Sequence, residues 1–328
     1  MTATWFDGHL DLAYLALAGR DLSRPVENPA EGCLSLPALR EAGVRLVLGT
    51  LYIEKGSPGE PYGYADSDDL DGAERAGQRE LEIYEALEDA GEIRIVRTRA
   101  DLDGDPDRLR VVILMEGADP IRSPRHARDW FERGVRVVGL SWSAGTRYAG
   151  GNGRPGPLTP LGRELVAALD ELGIVHDVSH LADDAASELL AVSRGRVVAT
   201  HSNSRSLLAE NQRHLTDEFI REIDRRQGIV GLNLYSDFLA VGRRATVADA
   251  VAHVEHAAEV MGHRRGVALG SDADGGFAPT MLPEGLDHPA RFDALAEALL
   301  AGGWSEAEVS GFRCGNWRRF LGEVLPTG

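Results

Sequence analysis

Residues 5–17 read WFDGHLDLAYLAL. The stretch is apolar enough to be a buried strand opening the chain, yet His9 and Asp11 stand inside it. Side chains alternate along a strand, so residues two apart share a face. An imidazole and a carboxylate together on an apolar strand are costly to bury unless something pairs with them. Seven further apolar runs follow: VRLVLGTLYI from Val44, RVVILMEGAD from Arg110, VRVVGLSWS from Val135, GIVHDVSHL from Gly173, VVATHSNS from Val197, GIVGLNLYSDF from Gly228 and GVALGSDADGG from Gly266. Near-continuous Val/Ile/Leu runs suit strands covered on both faces, as in a parallel sheet.

The intervals between the runs have helical signatures. PLTPLGRELVAALDELG offers Thr159 as an N-cap, Pro160 at the first helical position and Gly173 past the end. From Thr246, residues Val247, Val251, Val254, Ala258 and Met261 recur at helical spacing, and Ser305 with Glu308 forms a capping box for a last helix. Eight strands alternating with helices predict an α/β chain folded as a (β/α)8 TIM-like barrel, a single barrel domain over residues 1–328. A doubly wound open sheet is the competing topology. Residues Gly56 to Asp71 (GSPGEPYGYADSDDLD) read as a long polar loop over one end of the barrel.

Composition narrows the function. Of 328 residues 43% are apolar, enough for a large core, and the net charge is −17 from 52 acidic against 35 basic residues. Nucleic acids and anionic membranes call for basic surfaces, so neither is expected as a partner. Cys33 and Cys314 lie far apart and make no metal-type pair. MTATWFDGHL lacks the basic start and apolar run of a signal peptide, and no segment has the ~18 uninterrupted apolar residues of a spanning helix. The expectation is a cytoplasmic protein, compatible with a homodimer.

Each apolar run carries polar residues near its C-terminal end: His9 and Asp11, Tyr52, Glu116, Ser141, His180, His201, Tyr235 and Asp272. Barrel active sites lie at that end of the strands. His9, Asp11, Glu116, His180 and His201 are the ligand types of zinc or a similar divalent ion. Five are too many for one catalytic zinc with an open position, but they suit two ions that share a carboxylate and a water. The other common bridge in binuclear barrels is a carbamylated lysine on the fourth strand. The chain's only lysine is Lys55, beyond the second run, so Glu116 is the expected bridge. His126, His214, His253, His256, His263 and His288 sit in helical or loop contexts and read as ordinary surface or packing residues. His176 is read as packing deeper in the barrel, and Asp177 as a partner that orients a ligand.

DGHLDL, MEGAD, HDVSH, ATHSNSRSL, GSDADG, LPEGL and the terminal GNWRRFL, in this order, resemble the renal-type (membrane) dipeptidase family, binuclear zinc peptidases of the amidohydrolase superfamily. The likeness runs from the first strand to the last helix. It implies two Zn2+, with His9 and Asp11 on one ion, His180 and His201 on the other and Glu116 between them. It further implies that Asp272 exchanges a proton with the bridging water, Asp274 being the neighbouring alternative. Arg213, in NQRHLTDE, resembles the arginine that receives the substrate's terminal carboxylate. Tyr235 is expected to touch substrate.

One departure stands out. Where the family has a histidine after the fourth strand, this chain reads GLSWSAG and places Trp142. An indole N–H donates a hydrogen bond but cannot exchange a proton as imidazole does. The leading expectation is a zinc dipeptidase acting on a dipeptide-like small molecule through a metal-bridging hydroxide. The alternative, motivated by Trp142, is the same metal centre acting on another small amide, N-acyl amino acid or lactone. A non-enzymatic scaffold is disfavoured, because it has no reason to keep buried carboxylates beside imidazoles.

Overall fold

The structure, a computed structural model, describes residues 4–105, 108–208 and 211–328. Eight parallel strands follow the eight apolar runs: β1 Trp5–Leu10, β2 Val44–Tyr52, β3 Leu109–Glu116, β4 Val135–Gly139, β5 Val175–Asp177, β6 Val197–Val198, β7 Val230–Leu232 and β8 Val267–Leu269. The first six pair in chain order in one sheet, with Ile93–Ile95 also pairing onto the start of β3. A parallel bridge between Ala199 and Val230 carries the ladder to β7, which pairs with β8. From β8 the ring returns to β1: the Asp272 N–H donates to the His9 carbonyl at 3.2 Å. Sequential order without reversal is a TIM-like barrel and excludes the doubly wound sheet.

Alternation along the strands divides the core in two. Phe6, Leu46, Leu48, Val112, Leu114 and Val137 belong to one buried cluster, which Trp317 and Phe320 of the last helix, Asn316–Val324, complete. Their neighbours Val47, Val111, Ile113 and Val138 face the helical layer. Trp317 stacks on Phe6 at 5.6 Å and donates its indole N–H to the Leu269 carbonyl at 2.9 Å, so the closing helix stoppers the barrel. Towards the strands' C-terminal ends the interior becomes polar, with Thr50, Glu116, Asp177, Thr200 and Asn233 all buried. The wall is narrow at β6 to β8, where a Cβ on Gly231 or Gly270 would lie 1.9 or 1.8 Å from the Thr200 carbonyl oxygen. Only glycine fits there, and the close approach draws β6 and β8 together at the end where His201 and Asp272 emerge.

The helices begin as the sequence reading anticipates. Thr159 caps Pro160–Leu172 through the Gly162 N–H, with Gly173 left-handed at its end, and Ser305 and Glu308 form their capping box. The polar loop differs. Gly63–Tyr64 pairs in parallel with Glu54–Lys55, and the helix Leu70–Asp89 starts inside the expected loop because Asp69 accepts from the Gly72 N–H. His176 also departs from expectation. Val175 faces the barrel interior, so His176 faces outward and bonds Asp170 at 2.7 Å.

Asp170 gathers donors from two segments: His176 in β5 and, before β6, the Ser193 hydroxyl at 2.9 Å, the Arg194 N–H at 2.7 Å and the Gly195 N–H at 3.0 Å. Burial opposes its charge, but these donors outweigh burial and hold the carboxyl down to about 2 from 3.8. A depressed carboxyl contributes stability above its unfolded pKa, and that contribution is lost as pH falls toward the folded value. Asp170→Asn is therefore expected to lower stability by roughly 2 kcal/mol at pH 7. In urea unfolding curves, the gap between variant and wild type should close as pH is lowered from about 4 to about 2. A gap independent of pH would refute the account.

Candidate metal centre

The expected residues converge at the strands' C-terminal mouth. Glu116 ends β3; His180, His201 and Asp272 lie just past β5, β6 and β8. Asp11 is not on the strand: β1 stops at Leu10, and Asp11 is the N-cap position of the short helix Leu12–Leu17. It still reaches His9, whose Nε2 lies 3.7 Å from Asp11 Oδ1 and 3.8 Å from Glu116 Oε2. The second carboxylate oxygen of Glu116 faces the other pair, with His180 Nε2 and His201 Nε2 each 3.4 Å from Oε1. Those two nitrogens are 3.0 Å apart. One Glu116 oxygen thus lies toward His9 and the other toward His180 and His201, while the His9 and His201 rings approach one another to 3.7 Å.

Neighbouring side chains orient the imidazoles. Thr200 Oγ1 donates to Asp177 Oδ2 at 2.6 Å, so its single proton is committed and it accepts from His201 Nδ1 at 2.9 Å. His180 Nδ1 donates to Asn152 Oδ1 at 3.0 Å. With both Nδ1 atoms protonated, both Nε2 lone pairs point at the shared site, which is how partners of metal-binding histidines set the tautomer.

The electrostatics of these groups suit a divalent cation. Burial first, then the Arg213 charge, holds His9 down to about 3. Burial likewise holds His180 and His201 well below the usual imidazole range, reinforced by Arg213 and the neighbouring rings. Neutral imidazole is the ligating form. Burial and mutual repulsion push Asp11 and Glu116 up, each through Asp272 and Glu116 also through Asp11. Asp11 Oδ1 and Glu116 Oε1 are buried with no hydrogen-bond donor. Carboxylate oxygens left without donors, facing neutral imidazole nitrogens, are what a divalent ion would satisfy. Among the described residues, two triads have potential ligand atoms mutually within 4.8 Å: His9, Glu116 and His201, and His9, Asp11 and Asp272.

The structure separates the two aspartates of GSDADG. Asp272 faces the site, held by Asn233 Nδ2 at 2.9 Å; burial raises it to about 7, against the opposing pull of Arg213 and Asn233. Asp274 is turned away and accepts from the Cys33 and Leu34 N–H groups, each at 2.7 Å, and from Arg20. Both adopt left-handed backbone, φ 57°, as does His180 at φ 63°. Three non-glycine residues in that sparsely populated region mark a locally strained turn set at the site.

A cavity of about 380 Å3 opens over these groups. Trp142 and Tyr235 line it as expected, together with Tyr14, Tyr52, Phe238 and Phe277. Arg213 does not. It is buried, its guanidinium bonded to Ser202 Oγ and the His201 carbonyl, each at 2.7 Å, with Phe238 over it. Thr200 and Asn233 lie within or beside the quoted motifs and were open to discovery there. Asn152 carries no such signal, because it reaches His180 only through the hairpin Ala149–Gly151 and Arg154–Leu158.

Comparison with known proteins places these features. The family model described as membrane dipeptidase (peptidase family M19) matches residues 1–326. An uncharacterized protein in the pqqA 5′ region of Klebsiella pneumoniae is 32% identical over 72% of this chain and 90% of its own length. Dipeptidase 3 of Rattus norvegicus is 27% identical over 97% of this chain, which spans 64% of that protein. A crystal structure of a metallo peptidase from Rhodobacter sphaeroides, liganded with a phosphinate mimic of the dipeptide L-Ala-D-Ala, superposes with a TM-score of 0.85 at 25% identity, covering 99% of this chain and all of that one. No helix among the described residues is long and apolar enough to cross a membrane.

The Asp177–Thr200–His201 chain makes a claim about metal affinity that does not depend on turnover. Thr200→Val is expected to weaken binding of one divalent ion by about 10–100-fold in competition with a chromogenic chelator, and Thr200→Ser to restore most of it. Equal affinity in Thr200→Val and wild type would show that the hydroxyl does not orient His201.

Proposed function

The chain belongs to the membrane dipeptidase family, and from that premise we propose that it is a binuclear zinc dipeptidase whose whole length, residues 1–328, serves as one catalytic domain. The observation that carries this reading is Glu116, with one oxygen toward His9 and the other toward His180 and His201. In this reading His9 and Asp11 hold one zinc ion, His180 and His201 the other, and Glu116 both. Ions so held would supply Lewis acidity toward a water and toward the scissile carbonyl.

The remaining work falls to the chain's own residues. Asp272, anchored by Asn233, takes the proton from the attacking water and returns it to the leaving amine. Trp142 and Tyr235 form walls that exclude solvent and hold the short substrate across the centre. Trp142 stands 5.9 Å from the His180 ring and offers an N–H donor where an imidazole would also exchange protons. With its fork taken by Ser202 and His201, Arg213 acts on the substrate carboxylate as a buried positive charge behind the wall. Support for a dipeptide, rather than an N-acyl amino acid or lactone, comes from the family match and from the dipeptide mimic held by the Rhodobacter sphaeroides relative.

Zinc-loaded protein is expected to hydrolyse members of a dipeptide panel with kcat/KM of about 10⁴ M⁻¹s⁻¹ or higher, and to contain two zinc ions per chain by elemental analysis. Asp272→Asn should lose about 10²–10⁴-fold in kcat with zinc content retained. Two zinc ions with no dipeptide turnover would leave the metal assignment standing and overturn the substrate.

A further inference from the structure

The cavity over the metal centre carries a carboxylate that the reaction does not use. Glu54 follows β2, lines the cavity and is half-buried. It pairs with no cationic side chain among the described residues. Among the described residues no lysine or arginine lines the cavity, and the chain's single lysine, Lys55, turns to the Gly145 carbonyl instead. Asp11, Glu116 and Asp272 already have a use for their negative charge at the metal centre. Glu54 shares the cavity lining with Tyr14, Tyr52 and Trp142.

Those rings form a cluster. Tyr14 packs edge-on against Tyr52 at 5.6 Å and against Tyr62 at 4.8 Å, and Tyr52 packs edge-on against Trp142 at 5.3 Å. Burial raises the Tyr14, Tyr52 and Tyr62 phenols most, and nearby carboxylates add to it: Asp11 and Glu54 at Tyr14, Glu54, Glu116 and Asp11 at Tyr52, and Glu60 and Glu54 at Tyr62. Aromatic faces with an unpaired carboxylate beside them make a site for a cationic head on an apolar stem: the rings cover the methylenes and attract the charge through their quadrupoles, while the carboxylate pairs with it. A neutral apolar side chain would meet the rings but leave Glu54 half-desolvated and unpaired. An acidic one would be repelled.

Resting on the dipeptidase reading above, we propose that Glu54, with Tyr14, Tyr52 and Trp142, is a specificity site for a cationic side chain of the substrate, so that the preferred substrates are dipeptides containing lysine or arginine. The hydrolysed bond is unchanged, and the site acts through substrate binding alone.

The test compares lysine with norleucine, which shares its stem and lacks its charge. For Lys-Ala against Nle-Ala, and Ala-Lys against Ala-Nle, wild-type protein should favour the lysyl member of at least one pair by about tenfold in kcat/KM, with Glu-Ala and Ala-Glu poorest. Glu54→Gln should bring that ratio close to one, whereas Glu54→Asp should keep part of it. A wild-type ratio near one in both pairs, or a ratio unmoved by Glu54→Gln, would overturn the proposal. Calorimetric titration of zinc-loaded protein with lysyl and norleucyl phosphinate dipeptides asks the same question without turnover. If no dipeptide is hydrolysed, the activity assignment falls, and tighter binding of the lysyl phosphinate, abolished in Glu54→Gln, would still uphold the cation site. Equal binding of the two phosphinates would sink it.

Discussion

The join between the last strand and the first sets the geometry of everything at the mouth of this barrel. Asp7, fully buried in β1, accepts the Ser271 N–H at 2.7 Å and the Ser271 hydroxyl, and turns its remaining capacity to the His9 N–H at 3.2 Å. Burial raises this carboxyl to about 6 despite three donors, so the join is made at an electrostatic cost. In return, β8 is held against β1 one residue before Asp272 and two before His9. A buried polar network of this kind specifies one arrangement strongly, because any slip leaves a charge or a donor unpaired.

The candidate ligand set depends on that register. His9 and Asp272 come from opposite ends of the chain and meet only because the ring is closed. Beside that join, Gly231 and Gly270 admit the Thr200 carbonyl where no side chain could fit, and the next residue, His201, lies 3.0 Å from His180. The same Thr200 then fixes the His201 tautomer through Asp177. Packing and electrostatics are therefore one construction here: the positions that narrow the barrel also aim its nitrogens. A centre of three neutral imidazoles and crowded, unsatisfied carboxylates has poor intrinsic stability, and a bound divalent ion relieves each of these burdens at once.

The cavity above is divided in character. Its floor is ionic and suited to the reacting groups; its walls are aromatic, with Tyr235 packed on Phe238 and Phe277, each at 4.8 Å, facing the Tyr14, Tyr52 and Trp142 cluster. Rings of this size bring contact area at little cost in side-chain entropy and exclude water from the centre. Trp142 belongs to this wall, packed edge-on against Tyr52 at 5.3 Å and 5.9 Å from the His180 ring.

Much of this was legible in the sequence. Strand identity follows from local alternation and from Val/Ile/Leu runs, and a parallel barrel places its functional side chains at one end of every strand. His9, Glu116, His180, His201 and Asp272 could therefore be picked out from their position in each run. The helix caps at Thr159 and Ser305 were likewise readable, since a cap involves residues only three or four apart. Tertiary structure alone decided matters that depend on how distant segments meet. It turned Asp274 toward Cys33 and Arg20 while leaving Asp272 at the site, although both lie in the same six residues. It sent His176 outward to Asp170, buried Arg213 beneath Phe238, and brought Asn152 from a hairpin to His180. It also left Glu54 unpaired among tyrosines that come from three separate segments. Spacing along the chain carries the period of a strand or helix, but not the path of a loop or which of two rotamers burial will favour, and those were the quantities that assigned these residues their surroundings.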